Sequence, residues 1–124
     1  MWEIMVVAAG GGAGAVSRYL LSNILSAKFG PGFPYGTLVA NVVGCFIIGA
    51  FMVFATEKWI INPYWRLLVT VGFVGGLTTF SSFSYETLKL FEAANPFLAL
   101  SNLALNLLAG FSATWAGIIL ARAF

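Results

Sequence analysis

Along this chain the apolar residues run in long blocks. They show neither the alternation of a half-buried strand nor the narrow stripe of a helix lying on a soluble core. A helix needs about 20 predominantly apolar residues to cross hydrocarbon. Four blocks reach that length, at about 4–25, 36–56, 65–91 and 97–121. Turn chemistry separates them: Lys28-Phe29-Gly30-Pro31-Gly32-Phe33-Pro34, then Glu57-Lys58-Trp59 through Asn62-Pro63, then Glu92-Ala93-Ala94-Asn95-Pro96. Each break holds Pro beside Gly or Asn, residues that end one helix and start the next. Trp2, Tyr35, Trp59, Tyr64 and Trp65 fall at the block ends, where amphipathic rings favour headgroup depth. The pattern predicts an all-α membrane protein of four transmembrane helices in one domain. The opening Met1-Trp2-Glu3 carries no basic side chain, so the first block reads as a retained helix and not a secretory leader.

Composition agrees and excludes other classes. Of 124 residues, 60% are apolar and 8% charged, against about 25% charged in a soluble domain. Histidine is absent, which removes the commonest general base and neutral metal ligand. The single Cys45 can form neither an intrachain disulfide nor a zinc cluster. A net charge of +2, scattered along the chain, leaves no nucleic-acid footprint. With no nucleophile–base pair and no metal cluster in view, an enzyme is the least favoured class.

Charge says little about orientation. With four alternating spans, Lys58, Arg66 and Arg122 share one side, and Lys28, Lys89 and an outward-reaching Arg18 the other. The positive-inside rule has almost nothing to act on. Copies of opposite orientation can then pair about a two-fold axis in the membrane plane, giving the inverted-repeat plan of transporters with two identical chains. The alternative is that another feature fixes orientation, and charge alone does not choose.

Small residues recur at helical spacing: Gly10 with Gly14, Ala40 with Gly44, Gly72 with Gly76. In lipid this spacing lets helix backbones approach closely. Gly10, Gly12 and Ala15 also fit a dinucleotide-loop pattern, but no strand precedes them and no acidic partner follows. The third block differs. Gly72-Phe73-Val74-Gly75-Gly76-Leu77-Thr78-Thr79-Phe80-Ser81-Ser82-Phe83-Ser84 sets five hydroxyls and three glycines in mid-span. Such a run disfavours a continuous helix, so a break is expected near residues 75–79. Backbone off the helical ladder survives at membrane depth only inside protein or beside a wet cavity, and it aims dipole ends at one point.

Asn41, Asn102 and Asn106, with Ser101 close by, add polar groups at depth, and Asn102 and Asn106 share one helix face. Amides in hydrocarbon are costly unless bonded across helices or facing water. Glu3, Glu57, Glu86 and Glu92 all miss mid-span, so no carboxylate ring selects cations. What remains is neutral donors and phenyl rings. Phe80 and Phe83 lie three apart on one face, and ring edges are positive. The lining favours a small anion. Arg18 either concentrates anions at an entrance or snorkels to the interface as an anchor.

At these residues the chain resembles the Fluc (CrcB) family of small fluoride channels over essentially its whole length. The features are Gly-Gly-x-Gly-x-x-x-Arg at 11–18, Gly-Thr-Leu-x-x-Asn at 36–41, Gly-Gly-Leu-Thr-Thr-Phe-Ser-Ser-Phe-Ser at 75–84, and Glu86. The resemblance implies a fluoride-selective passive channel in the cell (inner) membrane, with a broken third helix, built as an antiparallel dual-topology homodimer with two pores. Phe80, Phe83 and Asn41 match the family's pore residues, and Ser81, Ser82 and Ser84 lie in its hydroxyl stretch. The carbonyls of Gly75 and Thr78 match those holding a central structural sodium ion on the dimer axis. The family often carries a track of Tyr and Ser on the fourth helix. Asn102, Asn106 and Gly110 take those positions here, and Gly110 offers no side chain. Two other classes stand against the channel. A proton-coupled small multidrug-type exporter shares the size and plan, with Glu86 as its only titrating candidate. A non-transporting scaffold would pass no solute.

Overall fold

The computed structural model describes residues 1–124, and its regular secondary structure is all helix. α1 spans Trp2–Phe29, α2 Tyr35–Lys58, α3 residues 63–77, α4 Phe80–Glu92 and α5 Pro96–Ala123. α3 and α4 are two halves of one crossing, so the chain has four helices long and apolar enough to span a membrane.

The helices outrun their apolar blocks. The 28 residues of α1, at about 1.5 Å per residue, make about 42 Å, longer than a hydrocarbon core of about 30 Å. Hydropathy marks only the part in lipid, while the backbone ladder continues to Gly30. There a positive φ of 84° ends it, and the Gly30 N–H still donates to the Ser26 carbonyl at 2.8 Å. Starts follow local chemistry. The Asn62 side chain accepts from the Tyr64 N–H at 2.9 Å, with Pro63 at the first helical position. The Asn95 side chain accepts from the Leu98 N–H at 3.3 Å, ahead of Pro96. The ladder widens to π spacing at Phe54–Lys58 and at Leu67–Val74.

Only 19 of 124 residues are buried, and the largest fully buried side chains are Leu77 and Asn102. Large apolar side chains therefore do not build a core; small ones do. α1 lies against α3 along the expected spacing. A Cβ on Gly10 would run into the Leu68 carbonyl, and one on Gly14 into the Phe73 carbonyl. Gly72 faces Gly10, and Gly76 faces the Gly11 carbonyl. α2 lies against α5 in the same manner, with Gly49 on the Thr114 carbonyl and Gly117 on the Phe46 carbonyl. This is how helices associate where lipid removes the hydrophobic drive between them. At one end Arg122 forms a two-pronged pair with Glu57 at 3.0 and 3.2 Å, and Lys58 Nζ donates to the Arg122 carbonyl at 3.1 Å. The ends of α2 and α5 are tied on one side.

The break falls within the expected stretch 75–79, at its far end: Gly75, Gly76 and Leu77 remain helical, and only Thr78 and Thr79 leave the ladder. Thr78 turns to φ −84°, ψ 154° and Thr79 to φ −152°, ψ 125°. Gly76 is small because the Gly11 carbonyl of α1 sits against it. Its role is close approach, not helix disruption.

Candidate functional site

In a continuous helix the Thr79 N–H would bond to the Gly75 carbonyl. It donates instead to Asn41 Oδ1 of α2, at 2.8 Å. Asn41 Nδ2 in turn donates to the Thr79 carbonyl at 3.1 Å. One amide thus satisfies both backbone groups of the residue that left the ladder, a requirement wherever backbone is bare at membrane depth. The Thr79 hydroxyl accepts from the Ser82 N–H at 3.1 Å and so caps α4. That N–H is then lost to the Thr78 carbonyl. The carbonyls of Gly75 and Thr78 are released together at the end of α3, Gly75 exposed and Thr78 half-buried.

Phe80 and Phe83 follow at once on α4. Their ring centroids are 5.5 Å apart and the planes are inclined at 69°, edge towards face. Phe83 is 5% exposed and Phe80 is 76% exposed. Both border a cavity of about 370 Å³, which Asn41, Thr79, Asn106 and Gly110 also line. A Cβ on Gly110 would meet only Cys45 Sγ at 3.5 Å, an ordinary contact, so Gly110 leaves room there. Two hydroxyls at this cavity are spent on backbone carbonyls: Thr78 donates to Val74 of its own helix at 2.9 Å, and Thr114 to Cys45 of α2 at 3.1 Å.

Of the residues expected on a pore, Asn41, Phe80, Phe83 and Asn106 meet at this cavity. Asn102 does not. It is 0% exposed and stands behind Asn106, where its Nδ2 donates to Thr87 Oγ1 at 2.9 Å. Ser81, Ser82 and Ser84 also stay off this cavity. Ser81 is exposed, with its hydroxyl 3.2 Å from that of Thr79. Arg18, expected at an entrance or at the interface, turns inward: its Nε donates to the Gly76 carbonyl at 3.3 Å. The cation thereby caps the negative end of α3.

Glu86 lies on a second cavity of about 400 Å³, with Ser22, Asn23, Thr37 and Lys89 on its walls. Its Oε2 accepts from Thr37 Oγ1 at 3.1 Å, while Oε1 is buried without a partner. Two participants escaped the sequence reading. The Thr79 cap was available from its place three residues before Ser82, whereas the Thr87–Asn102 contact joins two helices and has no sequence signal.

The family described as CrcB-like protein, Camphor Resistance (CrcB), matches residues 5–118. Relatives named fluoride-specific ion channel FluC are similar along their whole lengths. That of Sulfurihydrogenibium sp. (strain YO3AOP1) is 49% identical over 123 residues, covering 98% of each chain. That of Solibacter usitatus (strain Ellin6076) is 44% identical over 120 residues, 97% of this chain and 98% of the relative. That of Dehalococcoides mccartyi (strain CBDB1) is 44% identical over 120 residues, 97% of this chain and 92% of the relative. A family match over nearly the full length, on a chain with four membrane-capable helices, identifies this multi-pass membrane protein as a member of the CrcB-like family.

Proposed function

We propose that the protein is a passive, fluoride-selective anion channel of the cell membrane that lets fluoride out down its electrochemical gradient. The observation that carries this reading is the break at Thr78–Thr79, where two phenyl rings and the Asn41 amide border one cavity. The relatives named above as fluoride-specific supply the identity of the ion. Fluoride is small and strongly hydrated, so its passage needs fixed donors and positive ring edges to replace water. Larger halides fail on width and on the same donor geometry. Negative-inside voltage drives the anion outward. No enzymatic step belongs to this reading.

The working unit in this proposal is an antiparallel dual-topology homodimer with two pores. Supporting it, Phe80 stands 76% exposed on the surface of one chain although it belongs to the pathway, which calls for a second copy to complete the wall. The even distribution of basic residues supports insertion in both orientations. A structural sodium ion on the dimer axis fits the oxygens available: the carbonyls of Gly75 and Thr78 are free of their ladder partners, and two chains provide four neutral hard donors. Ser81, Ser82 and Ser84 belong in this proposal to the part of the path beyond the cavity of one chain, and Asn102 and Asn106 to its support.

Reconstitution into liposomes tests the proposal, with release followed by fluoride and chloride electrodes. Rapid fluoride release with chloride at background is expected, and equal release of the two overturns it. Phe80→Ile or Phe83→Ile should cut fluoride release by about tenfold or more, equivalent to roughly 1.4 kcal/mol, with the protein still folded. Unchanged release would remove the rings from the pathway.

A further inference from the structure

The hydrogen bonds behind Asn41 form a chain whose direction is fixed. Thr87 Oγ1 donates its proton to the Phe83 carbonyl at 2.7 Å, so it can only accept from Asn102 Nδ2. Asn102 therefore turns Oδ1 towards Asn106. Asn106 Nδ2 donates both there, at 3.0 Å, and to the Asn102 backbone carbonyl at 2.9 Å. Both N–H groups of Asn106 are spent, which leaves its Oδ1 to accept from Asn41 Nδ2 at 2.9 Å. The other end is equally determined, because the Thr79 N–H can only donate and the Thr79 carbonyl can only accept. Thr87 and Asn102 are 7% and 0% exposed, and neither borders the cavity.

We infer that Thr87, Asn102 and Asn106 are a positioning relay that, together with the Thr79 backbone, holds the nitrogen and not the oxygen of the Asn41 amide towards the cavity, and so sets the sign of the ion the break accepts. The inference rests on the reading of the site as an anion pathway. A half-turn of Asn41 would set its oxygen against the Asn106 oxygen and the Thr79 carbonyl, and would offer lone pairs to an approaching anion. With the relay in place that rotation is blocked from behind. Both Asn41 N–H groups are engaged, so an anion gains one by replacing the Thr79 carbonyl as acceptor. The bond to Asn106 meanwhile holds the amide in place. When the Thr79 carbonyl is displaced, polarity at the cavity is thus kept by a hydroxyl a full helical turn beyond Phe83.

Thr87→Val tests this, since valine has the shape of threonine and no acceptor. The measurement is the permeability of fluoride relative to potassium, read as the reversal potential across a bilayer under a potassium fluoride gradient, with thermal unfolding as a check on folding. Thr87→Val should lower the ratio by roughly tenfold, the scale of one buried hydrogen bond lost. Thr87→Ser, which keeps the hydroxyl, should restore it. Should the valine protein fail to fold, Thr87→Ala removes the same hydroxyl without adding atoms and is read in the same way. A folded Thr87→Val or Thr87→Ala protein with the wild-type ratio overturns the relay. A wild-type protein that passes potassium as freely as fluoride overturns the anion pathway itself, so the two failures are distinct.

Discussion

The third crossing meets its neighbours in two opposite ways within one length of chain. Along α3 contact with α1 is backbone against backbone: Gly72 faces Gly10, Gly76 faces the Gly11 carbonyl, and every amide stays in its own ladder region. At Thr78 and Thr79 the chain leaves the ladder, and the Asn41 side chain of α2, itself bonded to Asn106 of α5, takes over the polar groups of Thr79. Without a hydrophobic drive between helices, lipid offers two means of holding them together: close fit of small residues, or hydrogen bonds that water cannot replace. The seam relies on the first, with the bond from Arg18 Nε to the Gly76 carbonyl added at its end. The break uses the second, and the exposed dipoles that result are what an ion can use.

The comparison is broken most severely by Asn41→Leu. It strands the Thr79 N–H and carbonyl, at about 1–3 kcal/mol for each buried unpaired group. The unfolding midpoint should fall, and fluoride release per folded protein should fall further than stability alone explains. Release that merely tracks the folded fraction would place Asn41 with the seam. Gly14→Leu comes next. Its side chain must displace the Phe73 carbonyl and the Leu77 amide, an overpacking cost of about 1–3 kcal/mol. Here release and folded fraction should decline together, and a selectivity change at constant stability would join the seam to the pathway. Gly12→Ala is the smallest change. Gly12 has nothing within 4 Å of an added Cβ, so stability should stay within about 0.5 kcal/mol, as for open surface positions. A large loss would reveal a neighbour that one chain does not contain.

Much of this was legible before any coordinates. Four apolar blocks, their Pro-marked breaks and the pairs at Gly10–Gly14 and Gly72–Gly76 are periodic signals, and periodic signals survive because each position is set by its own helix. The break lies inside the expected 75–79, at its threonines and not at its glycines. Glycine pairs read as helix breakers by propensity; here tertiary contact overrides propensity, and Gly76 is kept small by the helix lying across it. Asn102 reads as a pore residue because it shares a face with Asn106; in the fold Asn106 borders the cavity, while Asn102 stands behind it, bonded to Thr87. Arg18 reads as an entrance charge or an interfacial anchor, and linear order carries no sign of its bond to a carbonyl 58 residues away.

What the amino-acid order alone determined was the solvent this protein lives in, the number of crossings, and the residue types able to face an ion at depth. Those follow from composition and from spacing along single helices. Which amide meets which carbonyl was decided only when four helices closed around Thr78 and Thr79, because a hydrogen bond between segments 38 or 65 residues apart depends on distance and direction in space, and linear order carries neither.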